Sequence, residues 1–264
     1  MKIVTKRKLR SADEILTERQ VMNLITRARD EEWQELDLAG LDMKFLPPEI
    51  GSLVKLKRLI LGRYDEQMKR DLGNLLVDLP VEIEQLEDLE VLSLHENQFT
   101  SVPKSIEKLS NLKRLDFTYN QIEVIPEFIK NLTNLRELNF SYNQIDFIPN
   151  SLSCLTNLRS LSFWSNKVEI IPDLIGELVN LEKLLFGFNN IKIIPDTIGK
   201  LTNLQELWLN GNQITVIPDA IGKLTNLREL WMMSNQITVI PDSLQQLEKL
   251  TKLELMLEEN PIEI

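Results

Sequence analysis

Residues 138–149 read LNFSYNQIDFIP, and close copies of this stretch return along most of the 264-residue chain. Its fixed positions, four apolar residues with one asparagine and one proline, are Leu138, Phe140, Asn143, Ile145, Ile148 and Pro149. Apolar residues two apart are typical of a strand, whose side chains alternate between faces, and the proline ends that alternation. The stretch therefore predicts a short strand followed by an irregular return segment.

The first leucine of this pattern, here called the frame leucine, recurs every 23 residues. It stands at Leu92, Leu115, Leu138, Leu161, Leu184, Leu207, Leu230 and Leu253, with Leu36 and Leu59 opening the series. Seven consecutive units also carry the asparagine, at Asn97, Asn120, Asn143, Asn166, Asn189, Asn212 and Asn235. This pattern resembles that of leucine-rich repeat proteins. The resemblance implies an α/β fold, a right-handed solenoid or horseshoe of about ten repeats with a parallel concave sheet.

The residue types fit that architecture physically. Strand alternation turns Leu207 and Leu209 inward and Trp208 outward, onto the concave side. Pro218 suits the first position of a short helical or 3₁₀ turn on the convex side. The asparagine is expected to turn inward at the strand exit, where its amide can satisfy backbone groups that no strand ladder reaches.

Three segments are predicted along the chain, and the unbroken register favours one elongated repeat domain. Residues 1–12 form a basic tail, residues 13–32 an N-terminal capping helix, and residues 33–264 the leucine-rich repeat domain. Capping boxes are available at Ser11/Glu14 or Thr17/Gln20. For the tail, frayed chain is favoured over contact with acidic lipid or nucleic acid.

Several repeats depart from the pattern. Between Leu59 and Leu92 lie ten extra residues, about 65–74, half of them charged. A solvated loop is the favoured interpretation, and a flap over the concave face is the alternative. The first repeat has Leu41 in place of the asparagine, and Asn260 lies two places beyond the position expected in the last repeat.

Composition restricts the function classes. A net charge of −10 and a pI near 4.9 disfavour nonspecific nucleic-acid binding, which relies on neutralising phosphates. A single cysteine, Cys154, allows no internal disulfide and indicates a reducing compartment. The chain has no apolar run long enough to span a membrane and no signal-peptide core. We therefore expect a soluble, cytoplasmic protein that binds neither membrane nor nucleic acid.

Catalytic and cofactor motifs are weak. The phrase IGKLTN at 198–203 and 221–226 lacks the glycine that a phosphate-binding loop needs five places before its Gly-Lys pair. One histidine and one cysteine cannot build a compact nitrogen and sulfur metal site. Ser93, His95 and Asp116 share the predicted concave face, but an open sheet supplies no evident oxyanion donors. No enzyme activity, cofactor or metal is expected.

The strand positions that the repeat leaves free predict the binding surface, because they carry outward aromatic residues in the late repeats. Such residues are enriched at interface hot spots. The predicted partner-binding residues are Tyr119, Tyr142, Trp164, Leu185, Phe188, Trp208, Trp231 and Met233, with Arg136, Arg159 and Arg228 in a polar rim. The alternative is an aromatic ladder that only strengthens the sheet.

A closer resemblance lies in the opening of the array. The stretch from Asp13 through ELDLAGLDMKFLPPEIG (35–51), followed by LKRLILGRYDEQMKRDLGNLLVDLP (56–80), resembles the repeat segment of bacterial, cyanobacterial-type Roco GTPases. In that family the segment precedes a GTPase domain and serves protein interaction and regulation. The sequence thus predicts a protein-recognition module that binds its partner on the concave face in cytoplasmic signalling. The alternatives are a regulatory segment of a Roco-like GTPase, or a domain that pairs two copies through its C-terminal edge or concave face.

Overall fold

The computed structural model describes residues 17–262, and the predicted basic tail (1–12) lies outside that range. A capping box begins the first helix, α1 (Glu18–Asp30), because Gln20 Oε1 accepts from the Thr17 N–H at 2.7 Å. Val21, Ile25 and Ala28 form the buried face of this helix. The alternative box at Ser11/Glu14 lies outside the described residues.

Twelve short strands follow among the described residues. Their bounds are β1 (Glu35–Asp37), β2 (Arg58–Ile60), β3 (Arg63–Asp65), β4 (Arg70–Leu72), β5 (Val91–Ser93), β6 (Arg114–Asp116), β7 (Glu137–Asn139), β8 (Ser160–Ser162), β9 (Lys183–Leu185), β10 (Glu206–Trp208), β11 (Glu229–Trp231) and β12 (Glu254–Met256). A second helix, α2 (Asp242–Leu250), precedes β12. All strands except β3 and β4 are repeat strands, so the fold is a leucine-rich repeat solenoid of ten repeats.

The chain divides into two compact units, Met1–Gln121 and Ile122–Ile264. The first contains parallel strands in the order β1-β2-β5-β6, and the second contains β7 to β12 in sequence order. In most repeats the return segment makes one 3₁₀ turn behind the proline, at Pro48–Ser52, Val81–Gln85, Lys104–Lys108, Glu127–Asn131, Asn150–Cys154, Asp173–Glu177, Asp196–Lys200 and Asp219–Lys223. The proline at the start of the segment has a fixed φ that is compatible with entry into such a turn.

Frame leucines pair with frame leucines along each unit and are almost fully buried, as Leu161, Leu184 and Leu207 show. Phe140, Phe163 and Phe186 occupy the second inward position and are also buried. The Phe163 and Phe186 rings stack with centroids 5.3 Å apart. Each repeat thus packs its core against its neighbours, as solenoid repeats must.

The repeat asparagines make the inward hydrogen bonds that the sequence predicts. Asn189 Oδ1 accepts from the Val168 N–H at 3.0 Å, and Asn189 Nδ2 donates to the carbonyls of Phe163, Phe186 and Gly187 at 2.8 to 3.2 Å. Its amide therefore joins two adjacent repeats. The residue just before each of several asparagines, such as Phe188, has positive φ, which turns the chain out of the strand.

Asn74 is a repeat asparagine and not the end of the insertion. Its Oδ1 accepts from the N–H groups of Leu41 and Met43 at 3.1 and 3.0 Å, and its Nδ2 donates to Leu38 and Leu61. The bonds with Met43, Leu38 and Leu61 are those that the asparagine makes in regular repeats, and the bond from Leu41 is additional. The inserted residues therefore lie between Leu61 and Asn74, where β3 and β4 form an antiparallel hairpin.

The frame of the last repeat is also corrected. Leu255, not Leu253, pairs with Leu230, because α2 replaces the 3₁₀ turn in a return segment that is two residues longer. Asn260 is then in frame, and its Oδ1 accepts from the Ile237 N–H at 3.1 Å. The outward positions of this repeat are accordingly Met256 and Glu258.

Candidate functional site

The sheet face that points away from the leucine core is here called the open face. Each repeat contributes the residue before its frame leucine, the residues one and three places after it, and the strand-exit residue four places after it. In β10 these are Glu206, Trp208, Asn210 and Gly211. The open face of the second unit contains the main aromatic cluster.

Four aromatic side chains form this cluster, the aromatic patch: Trp164, Phe188, Trp208 and Trp231. The indoles of Trp208 and Trp231 are parallel, with centroids 4.1 Å apart and an interplanar angle of 1°. The Trp164 ring meets Trp208 edge-on at 5.9 Å and Phe188 at 5.0 Å. The three tryptophans are half-buried and Phe188 is exposed, so the patch offers rigid apolar surface to solvent.

Two glycines make room for the outer rings, and the sequence analysis did not identify them. A Cβ added to Gly187 would lie 2.4 Å from Trp164 Cζ3, so the Trp164 indole lies directly over that glycine. The Phe188 ring covers Gly211 in the same way, with a Cβ there 2.7 Å from Phe188 Cδ1. The sequence did contain a sign of this arrangement. In each case a glycine occupies an outward position in the repeat that follows the one with the aromatic residue. Side chains thus lean from one repeat onto the next.

The patch also holds polar atoms. Trp208 Nε1 donates to Glu229 Oε2 at 3.2 Å. Trp231 Nε1 and Asn210 Oδ1 are buried and have no hydrogen-bond partner. Buried polar atoms of this kind are costly to leave unpaired and call for a specific explanation.

The other predicted aromatic and apolar residues are distributed along the face. Leu185 precedes Trp208 in the same row, and Met233 follows Asn210; both are half-buried. Tyr142 is an exposed strand-exit residue of the second unit. Tyr119 belongs to the first unit, where its ring meets His95 edge-on at 5.5 Å.

The predicted arginines lie along the strand ends. Arg159 and Arg228 line a polar groove of about 380 Å³ with Asn180, Glu182, Asn203, Gln205 and Asn226. Arg159 also pairs with Glu182 at 3.2 Å. Arg136 is exposed at the equivalent position of an earlier repeat. No aromatic residue lines this groove. The charged residue that bonds to the patch itself is Glu229.

Ser93, His95 and Asp116 do not form a catalytic relay. Ser93 Oγ donates to the Gly62 carbonyl at 2.6 Å, and Asp116 Oδ1 accepts from Thr118. His95 is only 6% exposed, and its Nε2 lies 2.6 Å from Asp71 Oδ1. Each of the three groups therefore has a different partner.

Asp71 belongs to the inserted hairpin, which reaches the open face of the first unit. Arg63 Nε donates to Asp37, an outward residue of β1, at 2.9 Å. Asp65 holds the hairpin turn, and its pKa is lowered because its carboxylate accepts from the Met68 N–H, the Arg63 guanidinium and the Gln67 N–H. These contacts fit the flap interpretation better than a solvated loop.

Neither a metal site nor a membrane-spanning helix is found among the described residues. Residues 17–262 contain no group of three histidine, cysteine or carboxylate side chains placed to hold a metal ion. None of the helices in that range is both long and apolar enough to cross a membrane. Cys154 is exposed on a return segment, consistent with its position in the repeat.

Among solved structures, a leucine-rich repeat protein of Leptospira interrogans is similar over 86% of this chain, with 37% identity and a TM-score of 0.79. This chain spans 55% of that protein's length. The ectodomain of the Arabidopsis thaliana receptor kinase GASSHO1/SCHENGEN3, in complex with Casparian strip integrity factor 2, matches 80% of this chain at 29% identity and TM-score 0.68, and this chain spans 25% of it.

A plant peptide hormone receptor, RGFR1 in complex with RGF2, matches 82% of this chain at 32% identity and TM-score 0.61, and this chain spans 38% of it. No curated protein matches. The family model described as "Leucine-rich repeat region" matches residues 73–169 and 146–263. With repeats, fold and family model in agreement, the chain belongs to the leucine-rich repeat family.

Proposed function

We propose that this chain is a protein-recognition module that holds its partner on the open face of the second unit, with the aromatic patch as its anchor. The observation that carries the proposal is the Trp208–Trp231 stack, extended by Trp164 and Phe188. Large rigid side chains lose little conformational entropy on binding and dominate hot spots. Contiguous apolar surface of this kind exceeds the scattered exposed residues of ordinary monomers.

The similar structures support an interaction role in general terms. Two of them are plant receptors solved with a bound factor or hormone. The separate partners of Ser93, His95 and Asp116 support a role without catalysis. Cytoplasmic signalling and a place ahead of a GTPase domain are finer proposals, and they rest on the sequence resemblance alone.

The test is truncation of the patch. Trp208→Ala or Trp231→Ala should each weaken binding to a captured partner by about 2 kcal/mol, roughly thirtyfold. The fold should persist, because both side chains point away from the buried leucines. Lys223→Ala, on the exposed return segment, is the matched control and should bind like the wild type.

Partner affinity and urea unfolding are measured on the same proteins. Unchanged affinity in both tryptophan variants would contradict the proposal. A large loss of stability with unchanged affinity would instead favour the aromatic ladder, whose stacked pairs contribute about 0.5–1.5 kcal/mol beyond burial.

Pairing of two copies is the second candidate function, and one observation favours it. Leu255 and Leu257 are only half-buried, whereas their counterparts Leu207 and Leu209 are fully buried. Among the described residues, β12 has a strand partner on one side only. An edge of this kind is a template for further pairing. Sedimentation equilibrium separates this candidate from a monomeric recognition module.

A further inference from the structure

The C-terminal end of the open face is acidic. Glu254 and Glu258 are exposed outward residues of the last repeat, and neither makes an ion pair or a side-chain hydrogen bond within the part of the chain that the structure describes. Glu229 lies beside Trp208 on the same face. In the row that contains Glu229 and Glu254, Lys183 is already paired with Glu206 at 2.6 Å. Arg228 and Lys252 are exposed outside that row, where they line a separate groove. A partner that covers this end must therefore offset several carboxylates.

A second observation points to a polar ligand group at the same place. Asn210 is an outward residue but only 5% exposed, and its Oδ1 has no partner. Its neighbours in the same row are Gly187, covered by the Trp164 indole, and Met233. The carboxamide is thus buried in the row between a glycine that the Trp164 indole covers and Met233. An unpaired buried amide costs free energy that a ligand group can recover.

We infer that this end of the open face binds a basic, extended segment of the partner protein. The apolar stems of lysine or arginine side chains pack on the aromatic patch, while their cationic ends pair with Glu254 and Glu258. An amide of the segment bonds to Asn210. Met233, unbranched and adaptable, turns aside to admit that amide. The inference rests on the proposed function and names its partner class.

Charge is the argument for a basic segment over other occupants. An acidic segment or a phosphate would meet unpaired carboxylates and a chain of net charge −10. A purely apolar segment would cover the patch but leave the carboxylates and Asn210 without new partners. Electrostatic complementarity of this kind gives specificity and a faster association rate.

The test uses three short extended peptides that differ only at alternate positions, which carry lysine, glutamine or glutamate. Affinity for the wild-type chain is measured by calorimetry. We expect the lysine peptide to bind most tightly and the glutamate peptide least, with a preference that weakens as salt is raised. The double variant Glu254→Gln, Glu258→Gln should lower the affinity for the lysine peptide about fivefold and leave the affinity for the glutamine peptide unchanged.

Glu123→Gln with Glu169→Gln is the matched control, because it removes the same charge from exposed return segments. Asn210→Leu should lower the affinities for the lysine and glutamine peptides alike, by about tenfold, without lowering the urea midpoint of unfolding. That combination separates a ligand-facing amide from a structural one, whose loss would lower stability.

The inference is overturned if the lysine peptide fails to bind or binds no better than the others, or if the paired glutamine variant binds it like the wild type. The proposed function fails separately, when Trp208→Ala and Trp231→Ala leave the captured partner's affinity unchanged. A partner that needs the tryptophans but not Glu254 and Glu258 therefore contradicts only the inference.

Discussion

Replacing Asn74 with alanine tests whether this residue belongs to the repeat frame or to a charged loop. Asn74 is 5% exposed and makes four hydrogen bonds to backbone groups of the first two repeats. Asn74→Ala removes the acceptor of the Leu41 and Met43 N–H groups and leaves both amides buried. We therefore expect a loss of stability that a residue in a solvated loop would not produce.

The size of the stability loss follows from the two backbone N–H groups, of Leu41 and Met43, that lose their acceptor. Each buried donor left without a partner costs about 1–3 kcal/mol, so two such donors cost about 2–6 kcal/mol. The Leu61 carbonyl keeps a second donor, Asn97 Nδ2 at 3.2 Å, which places the loss toward the lower half of that range. The regular repeat gives the comparison: Asn97→Ala strands the Leu76 N–H and should destabilise the chain to a similar or smaller extent.

Urea unfolding measures the overall loss, and native-state hydrogen exchange measures the protection of the Leu41 and Met43 amides directly. Gln67→Ala is the control, because it removes an exposed amide side chain from the hairpin that precedes Asn74. If Asn74→Ala unfolds within about 0.5 kcal/mol of the wild type, the range expected of a surface substitution, and both amides stay protected, the assignment of Asn74 to the frame is wrong.

Two further substitutions test the patch and the hairpin. Gly187→Ala should displace the Trp164 indole, since the new Cβ would lie 2.4 Å from its Cζ3, but should keep the urea midpoint because the ring can turn toward solvent. Near-ultraviolet circular dichroism and partner affinity should both change, and wild-type values of both would show that the Trp164 position does not depend on this glycine. Asp65→Asn should make the stability of the hairpin fall less steeply as the pH is lowered. The folded pKa of Asp65 is lowered, so its contribution is full above its unfolded pKa of about 3.9 and disappears as pH falls through the folded pKa. Gln67 and Met68 amide exchange between neutral and acid pH measures this, and identical profiles for wild type and variant would refute it.

The core and the ten strands could be predicted from the sequence because every repeat places its leucines in the same environment. Leu138, Leu161 and Leu184 are equivalent in spacing, in burial and in pairing, so a rule learned from one repeat holds for the next. The inward asparagine follows from the same logic. Its bonds are to backbone groups, which are present whatever the neighbouring side chains are.

The segments between the repeat strands carry less information, and the two frame errors arose there. Leu253 satisfies the period, but the return segment that contains α2 is two residues longer than one with a 3₁₀ turn, and only the displaced Asn260 indicated the shift. Asn74 was assigned to the insertion because the ten extra residues can be counted from either end. In both repeats the asparagine was a better guide to register than the leucine, because it has obligatory backbone partners.

The candidate site was predictable to the level of which residues face outward, and not to the level of what they contact. Alternation alone places Trp208 and Trp231 side by side, as found. The tilt of Trp164 over Gly187 and the burial of His95 under Asp71 depend on rotamers and on a hairpin far along the sequence. These contacts arise from tertiary packing, which no periodic pattern encodes.

The corrected register of the last repeat changes the chemistry of the site. A shift of two residues keeps every side chain on its own face but moves it along the strand. Met256 therefore lies beside Trp231 and extends the apolar row, where a frame at Leu253 would have put Glu254 there. Glu254 moves to the row of Glu229, and Glu258 takes the place after Met233. The longer return segment thus places an uninterrupted apolar row between the acidic row of Glu206, Glu229 and Glu254 and the single carboxylate of Glu258. A side chain with an apolar stem and a cationic end can cover this arrangement.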